Sequence, residues 1–128
     1  LPDSLFLDLQ SSLLGRYSIE RELGRGGTGI VFLAREVTLD RLVALKVLLP
    51  AQGPAARVRF LEEARTAARL SHPNIVPILA VEECGAFVFF TMPYITGGTV
   101  GERVRNRGPL HPLEAVRILR DVAWALEY

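Results

Sequence analysis

The sequence predicts an α+β fold in which five strands form an antiparallel layer, one helix is inserted after the third strand, and two more helices follow. Three observations point there. Gly24, Gly26 and Gly29 follow a loosely alternating run and precede one rich in β-branched and aromatic residues, which places the glycine loop inside a hairpin. Two further runs of that kind meet at Gly85. A single helical stretch, bounded by Gly53-Pro54 and His72-Pro73, separates the third strand from the fourth.

Asp3 and Ser4 are placed to cap a short N-terminal helix that carries Leu5, Phe6, Leu9 and Leu13 along one side and ends at Gly15. Residues 1–15 are therefore expected to form an accessory helix lying against the domain. Residues 17–23 read as the first strand, 28–34 as the second, 38–41 as a turn and 42–49 as the third strand. Successive side chains of a strand face opposite ways, so Leu42, Ala44, Lys46 and Leu48 share one side, with Ala44 and Lys46 about 7 Å apart. A small residue beside a flat ring, with a cation one pleat further on, matches the reach from a nucleobase to its phosphates. Val31 could press on the same ring; as plain core positions, Val31 and Ala44 need no ligand.

Pro54 suits a first helical turn, and the residue before Pro73 is pushed out of the α region. Phe60, Ala64, Ala67 and Ala68 project from one face with Leu61 at its edge; Glu63 projects toward the sheet and Glu62 roughly away. A carboxylate turned toward a core requires a cation, and Lys46 is the obvious one. The alternative is a solvated Glu63 at the helix border beside an arginine one turn away. Residues 75–81 and 87–92 read as the fourth and fifth strands, and Pro93 ends the last. Thr99 and Glu102 fit a capping box for a short helix closed by Gly108-Pro109. Pro112 opens a final helix whose Ala115, Ile118, Leu119, Val122, Ala123 and Leu126 stripe lacks a partner, which predicts a cut-off helix and self-association through it. His72 and His111 precede prolines and read as structural, and Cys84 shows no sign of activation.

Composition bounds the function. With 128 residues and 49% hydrophobic content, the chain makes one small domain or a piece of a larger one, and Leu1 in place of an initiator methionine favours the piece. A net charge of +1 implies no nucleic-acid partner, and one cysteine excludes an internal disulfide. No apolar run approaches the roughly 18 residues of a membrane span, and no signal-peptide pattern opens the chain. A cytoplasmic location is expected. Fourteen arginines accompany a single lysine, Lys46. Where any surface cation would serve, this chain uses arginine, so a lysine within an apolar strand suits a need for a compact charge on a slim stem. A strand-end lysine reaching for water is the plain alternative.

G-x-G-x-x-G also marks dinucleotide folds, but there the third glycine opens a helix, and here a strand follows Gly29. The G-x-x-x-x-G-K-[ST] of a P-loop is absent.

Gly24-Arg25-Gly26-Gly27-Thr28-Gly29-Ile30-Val31 followed by Val43-Ala44-Leu45-Lys46 resembles the G-x-G-x-x-G-x-V and V-A-I-K segments of protein kinases, specifically the bacterial, eukaryotic-like Ser/Thr kind. Residues 59–64 are similar to that family's αC segment, 70–76 to the approach to its fourth strand, and 91–95 to the end of strand five and the hinge. The resemblance covers residues 16–128 and implies a kinase N-lobe at 16–92, a hinge at 93–98 and the start of a truncated C-lobe at 99–128. It implies that the loop of Leu23, Gly24, Gly26, Gly27 and Gly29 covers the ATP phosphates. Val31 and Ala44 then flank the adenine, Met92 is the gatekeeper, and the carbonyl of Pro93 and backbone of Ile95 bond the adenine edge. Lys46 is implied to hold the α- and β-phosphates while pairing with Glu63. None of the four aspartates follows His-Arg or precedes Phe-Gly. The catalytic Asp and the Mg²⁺ ligands are therefore expected outside this chain, which alone is expected to transfer no phosphate to a protein substrate. The alternative is a pseudokinase-like module that binds nucleotide or a partner without catalysis.

Overall fold

A computed structural model describes residues 2–27 and 29–128, with backbone alone for Pro2 and Asp3. Helix α1 (Pro2–Ser12) precedes strands β1 (Tyr17–Arg25), β2 (Gly29–Glu36) and β3 (Arg41–Leu48). A 3-10 turn (Pro50–Gln52) enters helix α2 (Gly53–Ala68), then come β4 (Ala80–Cys84), β5 (Phe87–Pro93), α3 (Val100–Arg107) and α4 (Pro112–Glu127). The five strands form one antiparallel sheet in the order β1-β2-β3-β5-β4, the architecture the sequence predicts. The chain divides into two compact units, Leu1–Leu70 with Pro77–Tyr94 and Ser71–Val76 with Ile95–Tyr128.

Alternation along β3 sorts the first unit. Val43, Leu45 and Val47 go to one face with Ile30, Phe32 and Ala34 of β2 and Phe87 and Phe89 of β5, where Leu9 of α1 and Leu13, in the turn just after that helix, are fully buried against them. Leu48 goes to the other face and packs with Val88 against Ala56 and Leu61 of α2. Each face of the sheet thus has its own helix. The loose alternation of β1 reflects register shifts between Ile19 and Arg21 and between Glu22 and Gly24, where extra residues bend the strand.

Helix α1 is tied down by more than its leucines. The Gln10 amide accepts from Ile19 N at 2.8 Å and donates to Tyr17 O at 3.2 Å, and Cys84 Sγ donates to Ser12 O at 3.1 Å. The helix already runs at Pro2, ahead of Ser4, so Ser4 does not cap it; the Asp3 side chain lies outside the described residues. Tyr17 of β1 packs edge-on against Phe89 at 5.7 Å, and its hydroxyl donates to Glu82 of β4 at 3.1 Å. Strands at the two edges are therefore brought together around this core. Burial pushes the Tyr17 phenol above its ordinary value of 10.0.

The fourth strand starts at Ala80, not at residue 75 as the β-rich run suggests. Residues 72–75 are held in a turn by the Ile75 N to His72 O bond of 3.1 Å, and Pro77 has no N–H to offer a ladder. Leu79 N still reaches Thr91 O at 2.7 Å.

In the second unit, Thr99 and Glu102 form the expected capping box at the start of α3, and Gly108 ends that helix at φ 81°. The His111 side chain accepts from Leu113 N and caps α4. Ser71–Val76 docks on α4. The His72 ring meets Trp124 at 4.7 Å, Asn74 Nδ2 donates to Asp121 O at 2.9 Å, and Ser71 N donates to the Tyr128 hydroxyl at 3.3 Å. Both histidines thus have structural work. Leu119 and Leu126 of α4 remain 67% and 82% exposed.

Because Leu9 is fully buried at the seam between α1 and the sheet, Leu9→Ala is expected to cost about 2–5 kcal/mol. Urea denaturation followed by circular dichroism checks this, and a change below that of an ordinary surface substitution would show α1 to be loosely attached.

Candidate nucleotide-binding site

The site grows out of strand register. Val31 lies opposite Lys46, Leu33 opposite Ala44, Ala44 opposite Met92, and Lys46 opposite Phe90. Directly opposed residues share a face, so Val31, Ala44, Lys46 and Met92 occupy one face across three strands, the same face on which Leu48 meets α2. Ala44 is buried, while Val31, Lys46 and Met92 are half-buried.

The glycine loop closes the β1–β2 hairpin, with Gly26 N donating to Gly29 O at 2.9 Å. Leu23 is the extra residue of the second β1 bulge, followed by Gly24 opposite Val31. The glycines divide into two kinds. A Cβ on Gly29 would run into the carbonyl oxygen of Val47, so this residue must be glycine for β2 and β3 to approach. At Gly24, Gly26 and Gly27 nothing among the described residues lies within 4 Å of where a Cβ would sit. That space suits a ligand drawn close to bare backbone. None of the four has a positive φ, so close approach rather than left-handed backbone explains their use. Thr28 lies outside the described residues.

Lys46 and Glu63 are not paired. Among the described residues Lys46 has no carboxylate partner; its Nζ stands 6.0 Å from the centroid of the Phe90 ring, which stacks in turn on Phe60 of α2 at 5.5 Å. Glu63 is exposed and borders a shallow recess of about 120 Å³ with Leu48, Ala56, Arg59 and Phe60. The expected ion pair is corrected here, for a physical reason. The buried stripe of α2 runs through Ala56, Ala64 and Leu61 with Phe60 half-buried, which leaves Glu63 on its flank. The Phe60–Phe90 stack fills the space beside Lys46, and a carboxylate gains little by leaving water for a half-exposed cation.

Pro93 pairs with Val43 at the end of β5, and Ile95 belongs to the second unit, where it is exposed. Two participants escaped the sequence reading. Phe90 looked like one more strand residue, and Gln52, whose Nε2 donates to Gly27 O at 3.3 Å, carried no motif at all. Among the described residues no cluster of three or more His, Cys, Asp or Glu could hold a metal ion.

A glycine loop set in a hairpin, with a helix-backed sheet face presenting a small residue and a lysine one pleat apart, is the layout of a protein kinase small lobe. Residues 17–128 match the protein kinase domain family, and the chain belongs to it. It is 40% identical over 116 residues to the serine/threonine-protein kinase PrkC of Bacillus subtilis, covering 89% of this chain and 18% of that protein. To the serine/threonine-protein kinase PknE of Mycobacterium tuberculosis it is 37% identical over 120 residues, 92% of this chain and 21% of that one. The crystal structure of the M. tuberculosis PknI kinase domain matches with a TM-score of 0.70 at 33% identity, over 88% of this chain and 47% of that one. The chain thus spans about a fifth of the length of these two curated relatives.

The two kinds of glycine are separable by experiment. Gly29→Ala is expected to destabilise the fold by about 1–3 kcal/mol, because backbone must move to admit the methyl. Gly27→Ala is expected to stay within about 0.5 kcal/mol of wild type in the same urea titration.

Proposed function

We propose that this chain is the ATP-binding part of a serine/threonine protein kinase that moves a phosphoryl group from ATP to a protein hydroxyl. The observation that carries this reading is Lys46, the one lysine of the chain, on the same sheet face as Ala44 and Val31 and next to a loop with open space over Gly24, Gly26 and Gly27. Protein kinases as a family use ATP and Mg²⁺. The residues present fit the nucleotide. The loop from Leu23 to Gly29 would lie over the phosphates, and Lys46 would neutralise the α- and β-oxygens. Val31, Ala44 and Met92 would line the adenine, with the Pro93 carbonyl at its edge. Among the described residues no group of three or more His, Cys, Asp or Glu could hold the metal, and no step through it is assigned to this chain.

ATP supplies the transferable phosphoryl group; these residues bind and orient it. Within the 128 residues there is neither H-R-D nor D-F-G, and this favours a second statement about the chain by itself: it binds nucleotide without transferring phosphate. No helix among the described residues is long and apolar enough to cross a membrane; a cytoplasmic location for this part of the kinase belongs to the proposal. The exposed Leu119, Val122 and Leu126 of α4 would mediate self-association of the isolated chain.

In the full-length kinase, Lys46→Ala is expected to lower autophosphorylation by at least about a hundredfold with an unchanged melting temperature. Wild-type activity in that variant would overturn the role given to Lys46. For the isolated chain, sedimentation velocity is expected to show concentration-dependent oligomers that Leu119→Glu/Leu126→Glu abolishes; a single monomeric species at high concentration would remove the α4 proposal.

A further inference from the structure

The contact between Gln52 and the glycine loop is not explained by packing. Gln52 is exposed, and its backbone is fixed from both sides. Its N–H donates to Leu49 O at 3.1 Å, and the next residue, Gly53, returns a bond to Pro50 O. Pro50, at the start of this 3-10 turn, has its φ fixed by the ring. From this rigid base the amide Nε2 reaches 25 residues back to Gly27 O at 3.3 Å. Gly27 lies in the part of the loop over which space is open, and besides the Gly26–Gly29 bond this is the one side-chain tether to the loop tip among the described residues. Gln52 directly precedes α2, which packs on the sheet face that carries Lys46. A bond from there draws the loop toward that face rather than away from it.

We propose that Gln52 is a positioning residue that holds the glycine loop over the Lys46 face, so that a nucleoside polyphosphate meets a loop already ordered. The inference rests on the nucleotide-binding reading of this face and deepens it. Ordering a glycine-rich loop carries a large entropy cost, and meeting part of it in the free protein favours binding of the phosphates alone. A base and ribose without phosphates do not feel the loop. Gln52 touches neither ligand nor reacting atoms and acts through Gly27.

The test compares the full chain with Gln52→Met, which keeps the shape and removes the donor, and Gln52→Ala. Calorimetric titration with ADP and with adenosine, and ¹⁵N relaxation of the Gly26, Gly27 and Gly29 amides in the free protein, are the two readouts. One neutral hydrogen bond corresponds to an affinity change of about threefold to tenfold. ADP affinity is expected to fall by that factor in both variants, adenosine affinity to stay unchanged, and the three amides to become more mobile. Equal losses for ADP and adenosine would mean a general disturbance and overturn the proposal, as would unchanged or tighter ADP binding. If the wild-type chain binds neither compound, the nucleotide reading itself fails, and with it the proposed role; the relaxation data then show separately whether the tether exists.

Discussion

The alternation of β3 is the constraint on which the rest of this structure depends. β3 is bonded on both sides, to β2 and to β5, so its two faces cannot be chosen independently of theirs. Val43, Leu45 and Val47 complete a core that α1 closes, which leaves Ala44, Lys46 and Leu48 for the opposite face. A slip of one residue would bury Lys46 under α1 and turn Leu45 toward the site. The approach of Gly29 to the Val47 carbonyl pins that register where the glycine loop begins. The position of the one lysine therefore follows from core packing on the far side of the sheet.

Lys46 in this structure is a cation facing an aromatic ring instead of an acid. At 6.0 Å from the Phe90 centroid its interaction with the ring is worth about 0.5–1 kcal/mol at most. An exposed ion pair with Glu63 would be worth about as little. The free protein has no reason to form it. A polyanion on the same face changes that balance, since a triphosphate brings several negative charges to a half-buried lysine and removes the water that screens it. The charge relations of the site thus depend on what is bound, while its apolar framework does not.

Much of the fold was legible because its signals are local. The capping box at Thr99 and Glu102, the two histidines before prolines, and the turn at Gly85 need only a few neighbouring residues to be read. The hairpin setting of the loop was legible in the β-branched run after Gly29. The Glu63 side of α2 was not, because a helical projection gives relative angles but not the rotation of the helix against the sheet. Here Ala56, Ala64 and Leu61 set that rotation, and small alanines can sit at the centre or the border of a stripe equally well. The start of β4 was misread for a different reason: β-branched residues near Pro77 look like a strand, but the turn anchored at His72 decides where pairing begins. Gln52 had no signature, since its role lies in a contact across 25 residues.

The glycine motif, which reads as one feature in sequence, combines two physical requirements. Gly29 answers to the protein, because a neighbouring carbonyl occupies the place of its side chain. Gly24, Gly26 and Gly27 answer to nothing in the protein among the described residues, and their φ values are ones any residue can adopt. Residues that fold tolerates but does not require are found where something outside the chain makes the demand. Three such positions lie in one loop whose Gly24 pairs with Val31, itself opposite Lys46, which has no carboxylate partner among the described residues. On the proposed reading, a ligand with phosphates at one end and a flat ring at the other would engage all of these residues at once, which neither the loop nor the lysine specifies alone.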